Sequence, residues 1–227
     1  MPEFEFERDR AYRLLLDFFL GGDFDTDTSL SERKLAETLH MGRMPIREAL
    51  RDLSRDGLLE SRPGRGTFLR PLSVDDLREI YEVRYALEGM AAHLAAQNGL
   101  TEELAAYDAK FKAMLASPDD YELGAVYDLG AEFHLSMFRA AKNQHLYDIY
   151  EPLRLRFRIA LGLPKHYDHA RVFKSVEEHI EILDAIRAGD SLRAQQLVCR
   201  HLAAGLDVRT RIFEKLKDYA GPAAASA

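Results

Sequence analysis

Residues 31–70, SERKLAETLHMGRMPIREALRDLSRDGLLESRPGRGTFLR, decide how the first part of this chain folds. Leu35, Ala36 and Leu39 make one apolar helical face, and Ile46, Ala49, Leu50 and Leu53 make the next. Between them Gly42 offers the backbone freedom of a sharp helix-to-helix turn. Pro45 falls in the first turn of the second helix, where the missing N–H has no intrahelical partner anyway. Arg43, Arg47 and Arg51 then recur every four residues along one face of that helix. Such a face suits phosphates and guanine edges.

Gly57 can end the second helix, and residues 58–61 and 67–69 then predict two short strands. The tip between them, Arg62-Pro63-Gly64-Arg65-Gly66, carries two arginines and no acid. A glycine-rich loop of this kind can approach a phosphate backbone or a narrow minor groove closely. Helix, turn, helix and basic hairpin in this order predict a winged helix-turn-helix.

Charge is distributed to match. The chain is −7 overall, yet residues 31–70 carry 9 basic and 6 acidic side chains, whereas residues 1–30 carry 3 and 8. A small positive module on an acidic body concentrates its field at one surface.

Leu35-Ala36, Arg43, Pro45, Arg47-Glu48-Ala49-Leu50, Leu53, Gly57-Leu58 and Arg65-Gly66 together resemble the winged module of the GntR family of bacterial transcription regulators. The resemblance implies that Arg33, Arg43 and Arg47 contact operator DNA, with Gly66 entering or crossing the minor groove. Pro45 and Arg65 complete the candidate DNA interface. Gly42 departs from the pattern, which has Ser or Thr there, and the lost hydroxyl removes a helix cap and a phosphate contact.

At 227 residues, almost half of them apolar, the chain has the length of two domains, with a boundary near Pro71. The expected division is a DNA-binding domain at 8–70, an all-helical domain at 72–220 and a disordered tail at 221–227. The first seven residues read as a frayed end. No stretch of about 18 apolar residues and no signal-peptide pattern is present, which predicts a cytoplasmic protein with no membrane partner. A single cysteine, Cys199, excludes an intramolecular disulfide and sits in an apolar helical stretch as a core residue.

From residue 72 onward the pattern is helical throughout. Six helices are expected, at about 73–98, 101–116, 120–142, 144–161, 168–188 and 191–219, punctuated by Gly99, Pro118, Pro164 and Gly189. The fold class is therefore mainly α: a winged helix-turn-helix followed by an antiparallel six-helix bundle. His134, His179 and His201 fall on three different helices of that bundle. Neutral imidazoles converging from three helices could hold a divalent transition metal such as Zn or Ni, although spacing alone does not show convergence.

Tyr81-Glu82-Val83-Arg84, Leu87-Glu88, Phe133-His134, Asn143, Glu178-His179, Gly189-Asp190 and His201-Leu202 make residues 72–210 similar to the FCD domain of the FadR branch of the family. The resemblance implies a metal held by one aspartate and three histidines, with a small carboxylate effector beside it. The histidines match at His134, His179 and His201. The aspartate does not, because Gly130 stands at its position. Asp128 lies six residues before His134, roughly 120° around the helix, and should face elsewhere. Arg84 matches the arginine that meets the effector carboxylate; a pair with Glu88, one turn on, is the other reading of it. Arg154, Arg156 and Arg158 alternate by two, cannot all face one way, and are assigned no role.

The function this implies is a sequence-specific transcription regulator, a repressor, binding an inverted repeat as a homodimer. A small carboxylate would modulate it, with or without a metal. A constitutive repressor with a degenerate, metal-free pocket is the alternative, to which Gly130 gives weight. A three-histidine metalloenzyme would leave the winged module idle.

Overall fold

The first helix, α1 (Glu7–Gly21), is not among the expected elements. Its apolar side chains Ala11, Leu15 and Phe19 recur every four residues, all less than 4% exposed, so they present one continuous stripe. The stripe packs on α3 (Arg43–Arg55). The computed structural model describes residues 6–21, 28–70, 73–161 and 169–220. The first five residues, the boundary at Pro71, the break at Pro164 and the tail at 221–227 lie outside the described residues.

Two compact units are present, Met1–Leu72 with Glu151–Leu163, and Ser73–Tyr150 with Pro164–Ala227. In the first, α2 (Glu32–Thr38) begins at Ser31, whose side chain accepts from the Lys34 N–H. Leu35 and Ala36 of α2 join Ile46, Ala49, Leu50 and Leu53 of α3 in one core with α1. Gly42 precedes α3 with φ −63° and ψ 149°, an ordinary extended conformation, and offers it no side-chain cap. The turn is made instead by His40 at φ 50°. The His40 N–H donates to Glu37 O at 3.4 Å and the Met41 N–H to Ala36 O at 3.0 Å, closing α2 in a left-handed cap normally built on glycine.

Gly57, at φ 75°, closes α3 in the same way, with Leu58 N–H donating to Leu53 O at 2.9 Å. The wing follows as β1 (Leu59–Arg62) and β2 (Gly66–Leu69), antiparallel with Leu59 opposite Leu69 and Arg62 opposite Gly66. Arg62 and Gly66 thus belong to the strands, and the tip shrinks to residues 63–65. Leu30 adds a bridge to Thr67 at the edge.

The rest of the described chain is helical: α4 (Val74–Asn98), α5 (Glu102–Ala116), α6 (Leu123–Ala140), α7 (Gln144–Leu161), α8 (His169–Arg187) and α9 (Ser191–Ala220), of which α7 passes from the second unit into the first at Glu151. Ser73 and Asp76 bond reciprocally in a capping box at the start of α4. Asp190 caps α9 by accepting the Arg193 N–H at 3.0 Å. The expected start of the third helix at 120 is instead a single 3-10 turn at Pro118–Asp120, after which extended Glu122 leads into α6. Buried Ala91, Ala92, Ala95 and Ala96 give α4 a small-residue surface along which other helices approach closely. α4 lies along α9 and also packs on α6 and α8, while α8 packs on α5, α6 and α9. These packings bring α4, α6, α8 and α9 around one interior region. No helix among the described residues is long and apolar enough to cross a membrane.

Candidate DNA-reading surface and candidate metal centre

On the winged unit, Arg43, Arg47 and Arg51 all stand exposed along α3. Arg47 is held by an acid of α2: its Nε and Nη2 both donate to Glu32 Oε2, at 3.0 and 2.9 Å. Arg33 donates to Glu37 at 2.8 Å on the same helix. Pro45 is half-buried in the first turn of α3, its ring against Gly42, whose added Cβ would lie 3.3 Å from Pro45 Cδ. Arg65 is exposed at the wing tip, and Gly66 adopts φ 112°, a conformation open to glycine. Arg62 folds back over the Phe68 ring, 4.3 Å from its centroid, and belongs to the wing's own packing.

The three histidines converge. His134 Nε2 lies 3.2 Å from His179 Nε2 and 3.2 Å from His201 Nε2, and the remaining edge is 3.3 Å. Nitrogen donors about 2.0–2.1 Å from a tetrahedral ion stand about 3.3–3.4 Å apart, so this triangle is a fitted donor set for such an ion. His134 and His179 are buried and His201 half-buried.

Behind the triangle stand two carboxylates. His134 Nδ1 lies 2.7 Å from Glu88 Oε2, and His201 Nδ1 lies 2.7 Å from Glu178 Oε2. A carboxylate on Nδ1 fixes the tautomer that turns the Nε2 lone pair toward the centre. Glu88 is fully buried and its other oxygen accepts from Arg84 Nε at 2.5 Å. Glu178 is also reached by Arg171, at 3.3 Å. Of the two imidazole–carboxylate contacts only that of His201 is a hydrogen bond; His134 Nδ1 meets Glu88 at ion-pair distance, and His179 Nδ1 is buried with no hydrogen-bond partner among the described residues. Phe111 and Phe133 flank that ring at centroid distances of 5.3 and 5.1 Å.

Charge follows from burial. Burial drives the His179 imidazole well below its ordinary value, helped by its histidine neighbours. For His201, burial outweighs the opposing pull of Glu178 and brings it down to about 4. Both rings are therefore neutral near pH 7, as a nitrogen donor must be. For Glu88, burial pushes the carboxyl up, but Arg84 and His134 outweigh it and hold the group at about 2. Glu178 is held below the usual range as well, burial being overcome by His201 and Arg171.

Arg84 is paired with Glu88 and lies over the Tyr81 ring, 4.8 Å from its centroid. Asp128 is exposed, away from the triangle. Cys199 is half-buried, its Sγ 3.9 Å from Tyr85 O, short of the fully buried position expected. Sequence reasoning missed the roles of Glu88 and Glu178. Glu88 was visible as a partner of Arg84 one turn away. Glu178, adjacent to His179 in sequence, reaches His201 on another helix, and no local pattern marks that contact.

A winged DNA-reading unit and a helical unit enclosing a three-histidine cluster, carried on one chain, define a transcription regulator with an effector-binding domain. Residues 7–69 match the bacterial regulatory proteins of the gntR family, and residues 79–204 match the FCD domain. The chain belongs to the GntR family, in its FCD-bearing branch. It is 33% identical over 175 residues to the probable D-xylose utilization operon transcriptional repressor of Paenarthrobacter nicotinovorans, covering 77% of this chain and 76% of that protein. To the HTH-type transcriptional regulator LutR of Bacillus subtilis (strain 168) it is 31% identical over 208 residues, covering 82% and 92%. Its fold is similar to that of E. coli McbR/YncC, with a TM-score of 0.81 at 20% identity, covering 92% of this chain and all of the other. These curated relatives are transcriptional regulators, not enzymes.

Proposed function

We propose that this chain is an operator-binding repressor in which a small carboxylate, bound beside a divalent metal in the helical unit, modulates DNA binding. The observation that carries the sensory half is the triangle of Nε2 atoms at 3.2–3.3 Å backed by Glu88 and Glu178. His134, His179 and His201 would hold the ion, Zn or Ni by its nitrogen donors. A bound ion of this kind supplies a Lewis-acidic seat for carboxylate oxygens. Repression is supported by the name of the Paenarthrobacter relative, and the two are similar over most of both chains.

The DNA-reading half rests on Arg33, Arg43, Arg47 and Arg65 with Pro45 and Gly66. A helix-turn-helix reads one half-site, so an inverted repeat and a homodimer are the matching partners. With DNA as its target, the protein acts in the cytoplasm on this reading. Arg84 serves the effector through Glu88, holding the charge that backs His134. The domain limits follow the same reading, 8–70 for DNA and 72–220 for effector and dimer.

Two measurements on the purified full-length chain test this. Elemental analysis should find about one transition metal per chain, lost in His134→Ala. Operator binding by fluorescence anisotropy should weaken by about ten- to a hundredfold in Arg47→Ala if that side chain reads a base. An unchanged affinity in Arg47→Ala refutes the DNA assignment, and a metal-free wild type refutes the metal assignment.

A further inference from the structure

Met44 is the second residue of α3 and is 58% exposed. Among the described residues from 28 to 70 no other large apolar side chain is exposed. Its direction follows from the helix. At about 100° per residue, Met44 lies roughly 170° from the mean direction of Ile46, Ala49, Leu50 and Leu53, the four side chains that α3 buries. It therefore points straight away from the core. The same count sets it roughly 20° from Arg51 and roughly 60° from Arg47, on the exposed basic face. Met41, three residues earlier, packs on the core of the unit, and Met44 does not join it. The backbone beyond Met44 is anchored, since the Pro45 ring lies against Gly42 and Ile46 is fully buried.

We propose that Met44 is a specificity-determining residue of the DNA-reading surface, recognising the C5 methyl group of a thymine in the major groove. This rests on the DNA reading above. The N-terminal turn of a recognition helix is the part that reaches base edges. Arginines there serve guanine edges and phosphates through charge and N–H donors. Met44 has no donor, and its thioether is only a weak acceptor. The thymine methyl is the apolar group among the base edges of that groove, so it is the partner this side chain's chemistry selects. Methionine is unbranched and adaptable, and can close on a methyl group without a single fixed rotamer. The contact takes apolar surface of both partners out of water.

The test uses the full-length wild type to select tight-binding duplexes from a random-sequence DNA library. In the tightest of them each thymine is replaced singly by deoxyuridine, which pairs identically and lacks the methyl. Fluorescence anisotropy should show one thymine per half-site whose replacement weakens wild-type binding by about fourfold, the worth of one buried methyl-sized group. Met44→Ala should bind the thymine and deoxyuridine duplexes equally, and Met44→Leu should restore a preference for thymine. Neither should change the salt dependence, which counts phosphates. A wild type indifferent to every thymine methyl, a selected site without thymine, or a preference that survives in Met44→Ala overturns the proposal while leaving DNA reading intact. A wild type that enriches no sequence overturns both readings together. Thermal melts check the folding of the variants. Should Met44→Ala fail to fold, Met44→Gln, of similar length with a polar tip, takes its place with the same expectation.

Discussion

Glu88 is a fully buried carboxylate shared between Arg84 at 2.5 Å and His134 at 2.7 Å. Removing one member of a buried ion pair strands the other, at a cost of about 3–5 kcal/mol. Glu88→Ala should lower the unfolding free energy of the helical unit by about that amount, read by urea denaturation. Glu88→Gln keeps the volume but loses the charge behind His134. Zinc affinity by chelator competition should fall by about ten- to a hundredfold in that variant, and a value equal to wild type would mean Glu88 supports only Arg84. Half of this arrangement was legible in the sequence, since Arg84 and Glu88 lie one turn apart. The contact with His134 depends on how α4 meets α6, which no spacing encodes. The convergence of the three histidines was out of reach for the same reason, and only the resemblance to FCD domains pointed to it.

Among the helices, the instructive case is the end of α2. Three helix ends share one left-handed closure: Gly57 after α3 and Gly189 after α8 use glycine, whereas His40 after α2 adopts φ 50° with a Cβ in place. A non-glycine residue in that region is strained by about 1–2 kcal/mol, partly offset by the extra freedom glycine has when unfolded. His40 is exposed, so little packing is lost on replacing it. His40→Gly should raise the stability of the winged unit by roughly 1 kcal/mol, seen as a later denaturant midpoint at unchanged slope. Histidine carries no turn signal, which is why Gly42 looked like the turning point. The other features of the unit were readable because each is local: the apolar spacing of α2 and α3, Pro45, Gly57 and the hairpin. α1 was legible too, in the fourfold spacing of Ala11, Leu15 and Phe19, although the sequence reading left it out.

At the scale of the whole molecule, the buried imidazoles make stability depend on pH. His201 is held at about 4 and His179 well below 6.5, so the folded chain stays unprotonated where the unfolded chain takes up protons. The unfolded state then binds more protons below about pH 6.5, and stability falls with acidification from there. Glu88 acts in the same direction lower down. Its folded value of about 2 lies under the ordinary 4.5, so its contribution is complete above 4.5 and is lost as the pH falls toward 2. Protein stripped of metal by a chelator should therefore melt at progressively lower temperature from about pH 6.5 to 4. A flat profile across that interval would show that the histidines take up protons in the fold as they do in the unfolded chain. The division of the chain into a basic reading module and an acidic helical body was legible from charge and periodicity, because both are properties of long stretches.

If Arg47 meets an operator phosphate, as the proposed DNA contact allows, its pairing with Glu32 makes association at this position an anion exchange. One carboxylate must leave before one phosphate can arrive, and the displaced Glu32 is then left beside a polyanion. Salt weakens the outgoing contact as well as the incoming one, so the two dependences oppose each other. The salt exponent measured for operator binding should accordingly understate the number of phosphates touched, and Glu32→Gln should restore the missing part.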